Sequence, residues 1–166
     1  GPYWDGKELQ SAVNALMKGK WLSSGENVHK FEKKFSRLFN QKYSVMVNSG
    51  SSANLVMIAA IKKVLGWKDG DEVITSSITF PSSANVILHV GAHPVFANVN
   101  EATLNVCPLD VERRITSATK AIIIVHFAGL SELANRCPLD LKNHSYDLQY
   151  LQNLRYATFI LISMIN

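Results

Sequence analysis

The sequence predicts an α/β fold, a three-layer sandwich on a mainly parallel sheet. Short apolar, β-branched runs recur at residues 43–47, 72–75, 94–99 and 121–125. Helical stretches lie between them at 52–65, 82–90 and 109–115. Strands about 25 residues apart with helices between them form βαβ units, whose sheets are covered on both faces. Right-handed crossovers are expected.

Two amphipathic helices precede the first run. Leu9, Val13, Leu16 and Met17 share one face, and the pattern stops at Gly19. Val28, Phe31, Phe35, Leu38 and Phe39 form a second stripe, entered through a possible capping box from Ser23 to Glu26. After Gly129 the alternation lapses until an apolar run at 157–165. The chain therefore divides into an N-terminal helical segment (1–42), an incomplete α/β domain (43–129) and a tail of aberrant or truncated pattern (130–166). Cys-Pro-Leu-Asp occurs at 107–110 and again at 137–140, but the flanking residues do not match, so it is read as coincidence.

With 166 residues, 47% hydrophobic and 18% charged, the chain can fill one sizeable core, which excludes disorder as its dominant state. Cys107 and Cys137, its two cysteines, can build neither a disulfide framework nor a four-ligand zinc site. No metal site is expected, and a reducing, cytoplasmic compartment is. Residues 1–20 lack the apolar core of a signal peptide, and the run at 157–165 is about half the ~20 residues a spanning helix needs, so no membrane association is expected. The net charge of +4 is concentrated: residues 1–68 hold 11 Lys and Arg against 4 Asp and Glu. Without interleaved aromatics this reads as a solvated helix face carrying Lys30, Lys33, Lys34 and Arg37, and no nucleic-acid partner is expected.

Open parallel sheets bind ligands outside the carboxyl ends of their strands. The first run exits through Asn48-Ser49-Gly50-Ser51-Ser52-Ala53-Asn54 into a helix. Unpaired helix N–H groups, two hydroxyls and a glycine that admits close approach would cradle a phosphate; an ordinary Ser-rich helix cap is an equally good reading of this segment alone. No Gly-Lys-Ser/Thr and no Gly-x-Gly-x-x-Gly accompany it, so one phosphate is the expected anion. The second run exits through Ser76-Ser77-Ile78-Thr79-Phe80, where the Phe80 ring could lie on a planar group, although packing is the commoner role of a lone Phe. The fourth ends in Val125-His126-Phe127-Ala128-Gly129, placing an imidazole at the same edge; a lone His there is more often structural than catalytic.

Six ordered segments carry a resemblance: Trp21-Leu22-Ser23-Ser24-Gly25, 48–54, Gly70-Asp71-Glu72-Val73-Ile74, Thr79-Phe80, Gly91-Ala92-His93-Pro94-Val95-Phe96 and 125–129. Over residues ~20–129 the chain resembles the DegT-type sugar aminotransferases, pyridoxal 5'-phosphate (PLP) enzymes of the aspartate aminotransferase fold that act on nucleotide-linked keto sugars. The resemblance implies that Ser51 and Ser52 bind the cofactor phosphate, that the Gly50 turn admits it, and that Phe80 stacks on the pyridine ring. It also implies a homodimer, with a nucleotide sugar and an amino donor as partners of the complete enzyme. Those enzymes are roughly twice as long, and their later half supplies an Asp for the pyridine nitrogen and the Schiff-base Lys. Asp140, Asp147 and Lys142 stand in no matching motif, so the catalytic residues are unknown and the chain is expected to be inactive alone. Two alternatives stand beside this reading: a sister branch that replaces the Lys with His and dehydrates keto sugars at C3 with pyridoxamine phosphate, and an inert partial domain or binding module for phosphorylated ligands.

Overall fold

The computed structural model describes residues 5–19, 24–129 and 162–163. They fall into two compact units, divided between residues 53 and 54.

In the first unit, α1 (Gly6–Lys18) opens on a capping box that the sequence reading overlooked. The Asp5 carboxylate accepts the Lys7 N–H at 2.7 Å, and Glu8 accepts the Asp5 N–H at 2.7 Å. Helix α2 (Glu26–Leu38) starts differently from expectation. Its N-cap is Gly25, with no side-chain cap bond, so no capping box forms at Glu26; Ser23 lies outside the described residues. One face of α2 carries a ladder of rings, Phe31 to Phe35 at 5.6 Å and Phe35 to Phe39 at 4.5 Å between centroids.

Residues 43–47, expected as a strand, are not one. A strand exists only where a ladder partner takes its backbone groups. Here the Met46 N–H goes to the Glu32 carboxylate at 2.9 Å, and the Ser44 hydroxyl donates to the Glu32 carbonyl at 2.6 Å. Tyr43 and Val45 are exposed. The β-branched composition is that of a strand, but among the described residues none pairs with it.

Helix α3 (Gly50–Leu65) leads into the second unit, whose core is a parallel sheet of β1 (Glu72–Ser76), β2 (His93–Ala97) and β3 (Thr119–Ile123) in the order β2-β1-β3. Helix α4 (Pro81–His89) connects β1 to β2, and α5 (Pro108–Arg114) connects β2 to β3. The expected second and fourth runs end one residue later and two residues earlier, and the third ends two earlier, because the ladder rather than composition sets the boundaries. A two-residue strand β4 (Val125–His126) follows β3 and pairs in parallel with β5 (Ile162–Ser163). Beyond those two residues, the expectations for 130–166, including Cys137, Asp140, Lys142 and Asp147, lie outside the described residues.

Two clusters cover the two faces of the sheet. Val73, Ala121 and Ile123 pack with Ile58 of α3 and with Val86 and Ile87 of α4. Ile74, Val95, Ala97 and Ile122 pack with Val111 of α5 and with Ile115, just past it. Successive residues of β1 and β3 point to opposite clusters, as the two-residue period of a strand requires. The chain steps from β1 to β2 under one helix layer and back across β1 to β3 under the other. Reversing both direction and face keeps the two crossovers of one hand. These are the three expected layers.

Two polar fastenings hold this frame. Lys62 of α3 reaches the Asp69 carboxylate and the carbonyl of Val90, where α4 ends. Beside it Gly91 turns the chain with φ +73°, and a Cβ there would stand 2.8 Å from an Asp69 carboxylate oxygen. Replacing Gly91 with Ala should therefore cost about 1–3 kcal/mol of stability, measured by urea unfolding; a cost below about 0.5 kcal/mol would contradict this geometry.

At the other end, Asp110 of α5 accepts the Asn98 N–H at 2.7 Å and the Arg114 Nε–H at 2.6 Å. The Asn98 amide, then the Arg114 guanidinium, hold its carboxyl below the usual carboxylate range. A depressed folded-state pKa gives stability that is present above the ordinary Asp value of about 3.9 and is lost as pH falls through the lower folded value. Asp110→Asn should thus shallow the acid-unfolding slope below about pH 4, and an unchanged slope would remove Asp110 from that role.

Candidate functional site

Helix α3 begins at the segment singled out as a phosphate cup. Ser49 is its cap: the Ser49 carbonyl accepts the Ala53 N–H at 3.0 Å, and the Ser49 hydroxyl accepts the Ser52 N–H at 3.2 Å. The Ser49 hydroxyl also lies 3.1 Å from that of Ser52. Gly50, Ser51 and Ser52 thus occupy the first helical turn, with Ser51 exposed and Ser52 half-buried. The sequence reading had not separated the capping role of Ser49 from the two serines that follow it. An Asn/Ser-rich run ahead of an apolar helix is signal enough to do so.

Two features of this turn suit an anion. Helices α1, α2 and α5 each carry an acidic residue in the first turn, whereas α3 carries none and so leaves the positive end of its dipole uncompensated. Gly50 is not in the left-handed region, and a Cβ built on it meets no atom within 4 Å. Nothing in the described chain requires glycine there. The space above Gly50 is open, which is the condition for a ligand to approach the backbone.

In the second unit, Phe80 lies four residues beyond the end of β1, at the cap position of α4, and its carbonyl accepts the Ser83 N–H at 2.9 Å. Phe80 is 53% exposed and belongs to neither core cluster. The loop beneath it is held by its own hydroxyls: Ser76 donates to the Ile78 carbonyl at 2.9 Å, and Thr79 to the Ser83 hydroxyl at 2.9 Å. Ser77 N–H donates to the carbonyl of Ala97 at the end of β2, which joins the two strand exits. Helix α4, like α3, has no acidic residue in its first turn.

His126 is buried, 5% exposed, within β4. It is a packed residue beyond the end of β3 and not an imidazole open to solvent. An open groove of about 510 Å³ runs past Lys62, Trp67 and His89. It lies at the opposite ends of α3 and α4 from these segments, and its Lys62 is already committed to Asp69 and Val90.

A parallel sheet covered on both faces leaves its strand ends as the open approach, and an exposed aromatic stands beyond the carboxyl end of β1. The chain belongs to the DegT/DnrJ/EryC1/StrS aminotransferase family, whose profile matches residues 4–135, wider at both ends than the motifs alone. It is 44% identical over 126 residues to the spore coat polysaccharide biosynthesis protein SpsC of Bacillus subtilis, covering 76% of this chain and 31% of that protein. It is 38% identical over 128 residues to the GDP-4-keto-6-deoxy-D-mannose 3-dehydratase of Yersinia pseudotuberculosis, covering 76% and 32%. Among solved structures, the E. coli GDP-4-keto-6-deoxy-D-mannose-3-dehydratase with bound hydrated PLP superposes over 98% of this chain and 39% of its own, at a TM-score of 0.74 and 27% identity. The chain spans about a third of the length of the curated relatives it matches. The α/β fold expected from the sequence is the fold of these enzymes. Among the described residues, no helix is long and apolar enough to cross a membrane.

Proposed function

We propose that this chain supplies the phosphate-binding and ring-stacking part of a PLP-dependent aminotransferase acting on a nucleotide-linked keto sugar. The observation that carries the reading is the first turn of α3: a helix N-terminus with no acidic residue to offset its dipole, the Ser51 and Ser52 hydroxyls, and open space above a glycine that the backbone does not require. These residues fit the doubly charged phosphate of PLP, because backbone N–H groups and hydroxyls at a helix N-terminus donate to anions. Phe80, exposed at the sheet edge, fits a flat aromatic ring, with its loop held in place by the Ser76 and Thr79 hydrogen bonds.

When bound, PLP supplies an electron-withdrawing ring and an aldehyde that carries an amino group between substrates. The residues described here would bind and orient it. Ser51 and Ser52 would donate hydrogen bonds to its phosphate, and Phe80 would cover one ring face and exclude water from it. A homodimer, a cytoplasmic location and an amino donor such as glutamate belong to the same reading. The similarity to GDP-4-keto-6-deoxymannose 3-dehydratases supports a second reading, loss of a sugar hydroxyl in place of its exchange for an amino group. Supplied with a nucleotide-linked keto sugar and glutamate, an aminotransferase releases 2-oxoglutarate and one amino sugar per turnover, whereas the dehydratase reading gives a deoxygenated sugar.

The cup and the ring can be tested separately. Gly50→Ala should leave stability unchanged or raise it by up to about 1 kcal/mol, since Ala is the better helix residue, while weakening PLP retention. If the Ala variant retains PLP as well as the parent, the phosphate does not sit over Gly50. Phe80→Ala should weaken retention as well, by the ~0.5–1.5 kcal/mol that a stacked aromatic contributes beyond its buried area; unchanged affinity would return Phe80 to a packing role.

A further inference from the structure

The connection from β2 to α5 does more than cross the sheet. It folds back on itself as a small hairpin, with an antiparallel bridge between Val99 and Val106, and Asn100 N–H donates to the Asn105 carbonyl at 2.9 Å. Near its tip Leu104 takes φ 58°, and this turns the next side chain, Asn105, inward, to 3% exposure. The Asn105 side-chain oxygen accepts the Phe127 N–H at 2.9 Å, 22 residues away. Phe127 opens the single-turn 3-10 segment Phe127–Gly129 beyond β3, and the next residue, Ala128, sits at φ 51°. A non-glycine residue in the left-handed region persists only where its surroundings over-determine it. The buried side-chain amide of Asn105 holds the N–H of Phe127, the residue before the strained one.

This turn follows β4, four residues beyond the carboxyl end of β3; β3 is the strand next to β1, and the exit of β1 carries Phe80. We infer that Asn105 is a positioning residue for the carboxyl-edge site: through the Phe127 N–H it fixes the Phe127–Gly129 turn, and so the wall of the site beside Phe80. The inference rests on the proposed cofactor reading for what that wall encloses. An amide suits the task because its carbonyl accepts the backbone N–H without bringing a charge into a buried place.

The test pairs amide hydrogen exchange with retention of PLP on ultrafiltration, in the chain and in two variants. In Asn105→Leu, which has similar bulk and no acceptor, exchange at Phe127 should rise roughly tenfold while Ile74 in β1 keeps its protection. PLP should then be held at least about fivefold more weakly. Asn105→Asp keeps the acceptor at the cost of burying a carboxyl group, so it should lower overall stability yet hold Phe127 protection relative to Ile74, and PLP retention, within about twofold of the parent. Unchanged exchange at Phe127 in the Leu variant overturns the inference, as does faster exchange with unaltered PLP affinity. If the Leu variant also loses protection at Ile74, the Asp variant decides: a folded Asp variant with Phe127 unprotected overturns it. A parent chain that retains no PLP refutes the cofactor reading itself, whereas a parent and a Leu variant that retain it equally refute only the role of Asn105.

Discussion

Everything in the second unit depends on β1 having neither a free face nor a free edge. Val73, Ile74, Thr75 and Ser76 are all buried, and β2 and β3 take the backbone groups on its two sides. A strand so enclosed must offer apolar groups to both layers, so Val73 faces α3 and α4 while Ile74 faces the α5 layer. Burying each of these side chains contributes about 1.5–3 kcal/mol. The polar exception follows the same logic, because the Thr75 hydroxyl, cut off from water, donates to the Ile123 carbonyl of β3 at 3.3 Å.

The place of the chemistry follows from that arrangement. With both layers occupied, a ligand can reach the sheet only at a strand end, and the carboxyl ends are where connecting segments diverge to opposite faces. The segment after β1 turns toward α4 and the one after β2 toward α5. The polar groups near these exits mostly bind one another or backbone: Ser76 with Ile78, Thr79 with Ser83, Asn98 with Asp110, Phe127 with Asn105. Phe80, after β1, and Phe96, near the end of β2, are large aromatics left exposed there. Under the proposed function, a rim rigidified by its own hydrogen bonds, with the Phe80 ring open to solvent, would be pre-organised for a planar molecule and would lose little entropy on receiving it.

How far the sequence discloses this varies with the range of the interaction. The runs at 72–75, 94–99 and 121–125 are legible because short apolar, β-branched runs mark strands whether enclosed, as β1 is, or half-exposed, as β2 is, and the helices between them because 3.6-residue periodicity is local. Residues 43–47 have the same composition, yet strand formation depends on a partner elsewhere in the chain, and Glu32 takes the Met46 amide instead. The candidate cup was legible as a run of small polar residues before a helix. The division of labour between the Ser49 cap and Ser51 and Ser52 was also in reach, since capping is local, and so was the Asp5–Glu8 box. Asn105 was not. Its role depends on a hydrogen bond spanning 22 residues and on the conformation of Leu104 and Ala128, and none of these leaves a mark in composition or period.

The claim at the centre of this account is that the first turn of α3 receives the cofactor's phosphate. Backbone amide chemical shifts, followed by NMR as PLP is titrated into the isotope-labelled chain, test it most directly. The account predicts that the Gly50, Ser51 and Ser52 amides move first and furthest, saturating together with the resonances of the Phe80 ring, and that inorganic phosphate competes for the former and not the latter. Shifts concentrated at Lys62, Lys63 and His89, with the first turn of α3 unmoved at saturation, would contradict it.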